Sequence, residues 1–169
     1  MISKILRYGL LFVFLLLVQV LILNNIHMSI LLNPYVYILL IILLPFETPD
    51  WIVLSIAFVL GMINDAFSNS MGMHMASSVL LGFSRQFLLR WFAPRDGYEQ
   101  GQFPHYSNMG IVWFLLFAGI LTFTHHLSLF LIEDFRWSYL LTSIPKAFLS
   151  SLLSLVIMLT LMLFSYKPR

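Results

Sequence analysis

Polar residues in this 169-residue chain gather into short clusters, and the intervals between them are almost wholly apolar. Six apolar stretches can be read. The first, YGLLFVFLLLVQVLIL from Tyr8 to Leu23, follows Lys4 and Arg7, the kind of charged start that a signal peptide has. It runs into Asn24-Asn25-Ile26-His27 rather than a small-residue cleavage site, so it reads as a retained helix. The second runs from about Ser29 to Phe46, with Asn33-Pro34 near its start, where a first-turn proline is tolerated. The third spans Trp51 to Asn64 and closes on Asp65; the others cover Met71 to Phe92, Met109 to Ile132 and Leu140 to Phe164. The pattern predicts helices over roughly 8–26, 29–46, 51–65, 71–92, 109–132 and 140–165, with a polar loop at 93–108.

Composition decides the solvent. Hydrophobic residues make up 60% of the chain and charged residues only 9%, against about 25% charged in an ordinary soluble domain. A soluble fold of this size cannot cover so much apolar surface, so the expectation is an all-α integral membrane protein, a compact bundle of about six transmembrane helices in one domain. Several stretches are shorter than the roughly 20 residues of a simple span, which polar ends drawn into the interface or local thinning of the bilayer would accommodate.

Charge sets the orientation. With a cytoplasmic N-terminus, six crossings place Lys4, Arg7, Arg85, Arg90, Arg95, Lys167 and Arg169 inside and only Arg136 and Lys146 outside. Both termini are then cytoplasmic, and Trp51, Trp91 and Trp137 fall at interfaces, where amphipathic rings settle. Arg85 and Arg90 read as anchors snorkelling to the inner surface. The net charge of +2 is too small, and too little clustered with aromatics, to suggest a nucleic-acid partner. The absence of cysteine excludes disulfides, thiolate metal sites and cysteine nucleophiles.

Asp65 is the position that most needs a reason, because no basic residue lies near it in sequence and an intramembrane carboxylate is costly. Counted from Trp51, it lies about 21 Å along a helix, in a core about 30 Å thick. Ser68-Asn69-Ser70 suits a chain reversal there, with Asn69 or Ser70 as N-cap of the fourth helix. A carboxylate close to that helix start would meet free N–H groups and the positive end of the dipole. Three readings stay open: a structural hold on the helix hairpin, a partner contact, and proton or metal chemistry.

His27, His74, His125 and His126 fall mainly on the outer side of this topology, where Asp65, Glu133 and Asp134 could join them in a metal site. Adjacent on a helix, His125 and His126 point about 100° apart, and no recognised ligand spacing occurs. Packing against helices or a partner is the expected role of these polar residues, and no metal or cofactor is expected. Small residues at four-residue spacing, Gly72/Ala76, Ser78/Gly82, Ala147/Ser151 and Ser150/Ser154, suit close helix approach. No nucleophile motif or phosphate-cradling glycine loop is present, so no catalytic residue is expected.

The order of these features resembles the rod shape-determining protein MreD family of bacterial inner membranes. The residues that carry the likeness are Asn33-Pro34, Gly61-Met-Ile-Asn-Asp65, Met71-Gly72-Met73, Leu88 to Pro104 and the His125-His126 pair. The resemblance implies a non-enzymatic adaptor of the cell-elongation machinery, without established catalytic residues. Its implied partners are an MreC-like single-pass protein and, through it, a RodA-type glycosyltransferase with its penicillin-binding transpeptidase, and MreB filaments. Gly61, Asp65, Asn69, Gly72, His74, Ala76, His125 and His126 are the structural or partner-contact candidates. The architecture is also similar to the substrate-binding S-component of energy-coupling-factor transporters. That alternative would need an outward pocket for a vitamin or metal, with Asp65, His74 and His126 as candidate lining.

Overall fold

The computed structural model describes residues 2–26, 32–99, 101–134 and 140–165. His27, Arg136, Trp137, Lys167 and Arg169 lie outside the described residues, as does the start of the second apolar stretch. Every element among the described residues is helical. Helix α1 (Ile2–Leu17) continues into a π-helical turn (Val18–Ile22) and a 3-10 turn (Leu23–Asn25). The short α2 (Leu39–Ile42) follows, then α3 (Asp50–Ser68), α4 (Met73–Trp91), the short α5 (Tyr106–Met109), α6 (Ile111–Asp134) and α7 (Leu140–Ser165). Among the described residues three helical segments are long and apolar enough to cross a membrane: Asp50–Ser68, Ile111–Asp134 and Leu141–Leu163.

Local chemistry sets the helix limits. Pro49 precedes α3 with its φ already preset, and Asp50 in the first turn complements the helix dipole. Asn69 ends α3 in the left-handed conformation at φ 53, and Gly72 at φ 83 opens α4. The N-cap expected of Asn69 or Ser70 is therefore not made: Gly72 holds that position, without a side-chain bond of its own.

The expected helix over 29–46 is also corrected. Within its described part only Leu39–Ile42 is α-helical, although Val36 to Leu44 are all buried. This central segment runs beside α4 in the same sense, since Tyr37 meets Ser78 and Leu44 meets Arg85. Helix α4 packs between α3 and α6, and α6 packs on α7. Buried side chains include Gln19, Asp65, His74, Arg85, His125 and His126, whereas Phe58, Met62, Val112, Leu116, Phe148 and Val156 face outward. Polar groups inside and apolar groups outside are what a lipid solvent favours.

Candidate functional site: the helix junction and the buried polar core

The junction between α3 and α4 begins at Gly61. A Cβ there would stand 2.4 Å from Met75 Cα and 2.6 Å from the His74 carbonyl oxygen, so only glycine admits the start of α4. One helical turn further on, that close approach brings Asp65 to the free amides of α4. Its Oδ1 accepts from the His74 amide at 3.0 Å and from the Ser70 hydroxyl at 2.6 Å, while Oδ2 accepts from the Met75 amide at 2.9 Å. Asp65 thus caps α4 from the preceding helix, where the carboxylate also meets the positive dipole end. The spacing Gly61-x-x-x-Asp65 has a plain physical meaning: the glycine admits the helix start and the acid holds it.

Beneath this junction lies the Tyr37 hydroxyl, 2.8 Å from His125 Nε2, 3.0 Å from Ser78 Oγ and 3.4 Å from His74 Nδ1. The Tyr35 ring sits edge-on to His74 and His125, with centroids 4.8 and 5.8 Å away, and tilted to His126 at 5.3 Å. His126 turns away from His125: its Nδ1 donates to the Thr122 carbonyl at 2.8 Å, and its Nε2 lies 3.1 Å from Ser154 Oγ. Since a carbonyl only accepts, that bond places a proton on Nδ1, while the Ser154 hydroxyl donates to the Ser150 carbonyl at 2.8 Å. Among the described residues no group of three or more metal-ligating side chains is placed to hold an ion. Glu133 pairs with Lys146 at 3.0 Å and Asp134 accepts from Ser143 at 2.8 Å, which ties α6 to α7.

The central segment owes its irregular backbone to side chains from distant helices. The amides of Asn33 and Tyr35 donate to Ser150 and Ser154 at 3.1 and 3.0 Å, and that of Val36 donates to Gln19 Oε1 at 2.8 Å. At the other end Arg85, 1% exposed, donates through Nη2 to the carbonyls of Leu44 and Pro45. Buried backbone outside a helix is stable only when its polar groups find partners within the protein. These four side chains are such partners. The expectation that Arg85 snorkels is corrected accordingly: it is a buried cap on two carbonyls.

Among the other sequence candidates, Ser150 and Ser154 serve the central segment. Gly82 lies against α3, a Cβ there meeting Ala57 Cβ at 3.3 Å, and Ala76 is exposed. Ala147 packs with Leu129 and Phe130 of α6. The loop at 93–108 is pinned to the turn after the central segment, where the Phe46 amide donates to the Gln102 carbonyl and the Gly101 amide to Glu47. Tyr98 stacks on Phe46 at 3.9 Å and donates to the Leu89 carbonyl. Burial pushes the Tyr98 phenol up to about 12 against the pull of Arg85, so it remains a neutral donor at physiological pH.

Sequence reasoning missed Gln19, Tyr35 and Tyr37. Gln19 is fully buried at the π-helical turn, its Nε2 donating to Asn24 Oδ1 at 2.7 Å and to the Pro34 carbonyl at 3.2 Å. The signal was a lone amide inside a sixteen-residue apolar run. Comparison of the chain with protein-family models, with curated proteins and with solved structures finds no match.

Proposed function

We propose that this chain is a non-enzymatic, multi-pass adaptor of the bacterial inner membrane. In the manner of the MreD family it resembles, it holds an MreC-like single-pass partner. Through that partner it organises a RodA-type glycosyltransferase, a penicillin-binding transpeptidase and MreB filaments for lateral peptidoglycan synthesis. The observation that carries this reading is the commitment of the motif residues to architecture. Gly61 and Asp65 lock α3 to α4, and His125 and His126 face Tyr37, Thr122 and Ser154 inside the bundle. The outward faces are apolar, so they offer a partner helix shape rather than reactive groups.

In this reading the central segment counts as a crossing alongside α1, α3, α4, α6 and α7, with both termini cytoplasmic. An S-component would need Asp65, His74 and His126 turned to an outward ligand, and their bonding within the bundle favours the adaptor. The test is a gentle detergent pull-down of the tagged chain from its native membrane, with mass spectrometry of what co-purifies. A single-pass coiled-coil protein recovered with the glycosyltransferase and transpeptidase is the expected result. Recovery of paired ATPases with a transporter coupling subunit would overturn it.

A further inference from the structure

At the end of the bundle where α3 begins and α4 ends, a cavity of about 300 Å³ is lined by Thr48, Asp50, Arg85, Gln86, Arg90 and Tyr98, among others. That volume is at the lower end of the range for small-molecule sites. We propose that this cavity binds a phosphoethanolamine group, and that its source is the headgroup of phosphatidylethanolamine. The inference goes beyond the adaptor reading and shares with it only the membrane setting.

Depth comes first. Trp51 follows Asp50 and Trp91 follows Arg90, and both indoles are strongly exposed, 68% and 82%. Exposed indoles settle at the level of lipid headgroups, so the mouth of the cavity opens where phosphates lie. Charge comes second. The lining carries two guanidinium groups and one carboxylate. Guanidinium is the side chain best matched to phosphate oxygens, through paired N–H donors. Arg85 is held on the Leu44 and Pro45 carbonyls, so it adds fixed positive charge to the lining, while the exposed Arg90 supplies the N–H donors for the phosphate.

A bare anion would share the lining with the Asp50 carboxylate, which repels it, whereas a headgroup bearing both phosphate and ammonium answers the whole lining. The ammonium of phosphoethanolamine has three N–H donors for a carboxylate, and Asp50 is exposed and makes no ion pair with a described residue. The trimethylated ammonium of phosphatidylcholine has no N–H, and phosphatidylglycerol has no cation at all. Thr48, Gln86 and Tyr98 add neutral polar groups around the same opening.

The test uses the intact purified chain in detergent, with retained lipid quantified by native mass spectrometry against added phosphatidylethanolamine, phosphatidylcholine and phosphatidylglycerol. The expected result is a dissociation constant for phosphatidylethanolamine at least about tenfold lower than for either of the others, the effect of one charge-assisted contact. Asp50→Asn should reduce phosphatidylethanolamine to the level of phosphatidylcholine. Arg90→Gln should weaken all three lipids together. Both residues are exposed, so an unchanged elution profile certifies folding independently of Arg85. Soluble phosphoethanolamine that displaces the lipid at comparable concentration would support the same chemistry and assign it to a free ester. Equal retention of the three lipids, or a preference that survives Asp50→Asn, would overturn the proposal while leaving the membrane setting intact. Retention of no lipid would overturn both.

Discussion

Gly61→Ala is expected to destabilise the folded chain by about 3 kcal/mol, the upper part of the range for overpacking, and Gly61→Leu to leave no folded protein. The reason is what stands opposite. The added Cβ would meet Met75 Cα at 2.4 Å and the Met75 amide nitrogen at 2.7 Å, and backbone, unlike the tip of a side chain, cannot swing aside. Helix α4 would have to withdraw by about 1 Å to reach ordinary contact distance. That withdrawal stretches the bonds from Asp65 to the His74 and Met75 amides, so two losses arrive together. Gly72→Ala provides the contrast. Its site is open apart from Met75 Cε at 3.5 Å, and the cost there is left-handed strain alone, about 1 kcal/mol. Thermal unfolding of the purified variants, followed by size-exclusion elution in detergent, measures both.

Asp65→Ala is expected to cost about 2–3 kcal/mol. It removes a carboxylate that accepts from two backbone amides and a serine hydroxyl at 8% exposure. A lost N-cap costs about 1 kcal/mol, and bonds to a charged acceptor are worth more than neutral ones. Polar contacts between membrane helices average below 1 kcal/mol each, which holds the sum to the stated range. Asp65→Asn should lose roughly half as much, because its single carbonyl oxygen replaces only part of the carboxylate. Equilibrium unfolding of the two variants separates these values. If Asp65→Ala unfolds like the wild type but no longer co-purifies with the single-pass partner, the carboxylate belongs to the interface and its structural assignment fails.

The apolar runs beyond residue 50 were legible because a long, unbroken apolar stretch is a one-dimensional signal. Asp50–Ser68, Met73–Trp91, Ile111–Asp134 and Leu140–Ser165 lie within a few residues of the stretches read from hydropathy. Asp65 was legible too, as an acid with no local partner and a helix start close by. The central segment was not. Its composition is that of a spanning helix, and what makes it irregular is supplied from far away: Ser150 is 117 residues from Asn33 and Ser154 is 119 residues from Tyr35. Hydropathy counts side chains and carries no record of where backbone donors find acceptors. Arg85 was misread for the same reason, since a basic residue near a helix end looks like an anchor until two carbonyls prove to face it.

Amide hydrogen exchange across residues 33–36, in the wild type and in the Ser150→Ala/Ser154→Ala variant, tests most directly whether buried polar side chains carry this fold. Asn33 and Tyr35 donate to those two serines, so their amides should be protected in the wild type. In the double variant that protection should be lost while α3 remains protected. Protection that survives the loss of both hydroxyls would mean that the segment satisfies its own backbone as an ordinary helix, and the polar core described here would then not be what holds it.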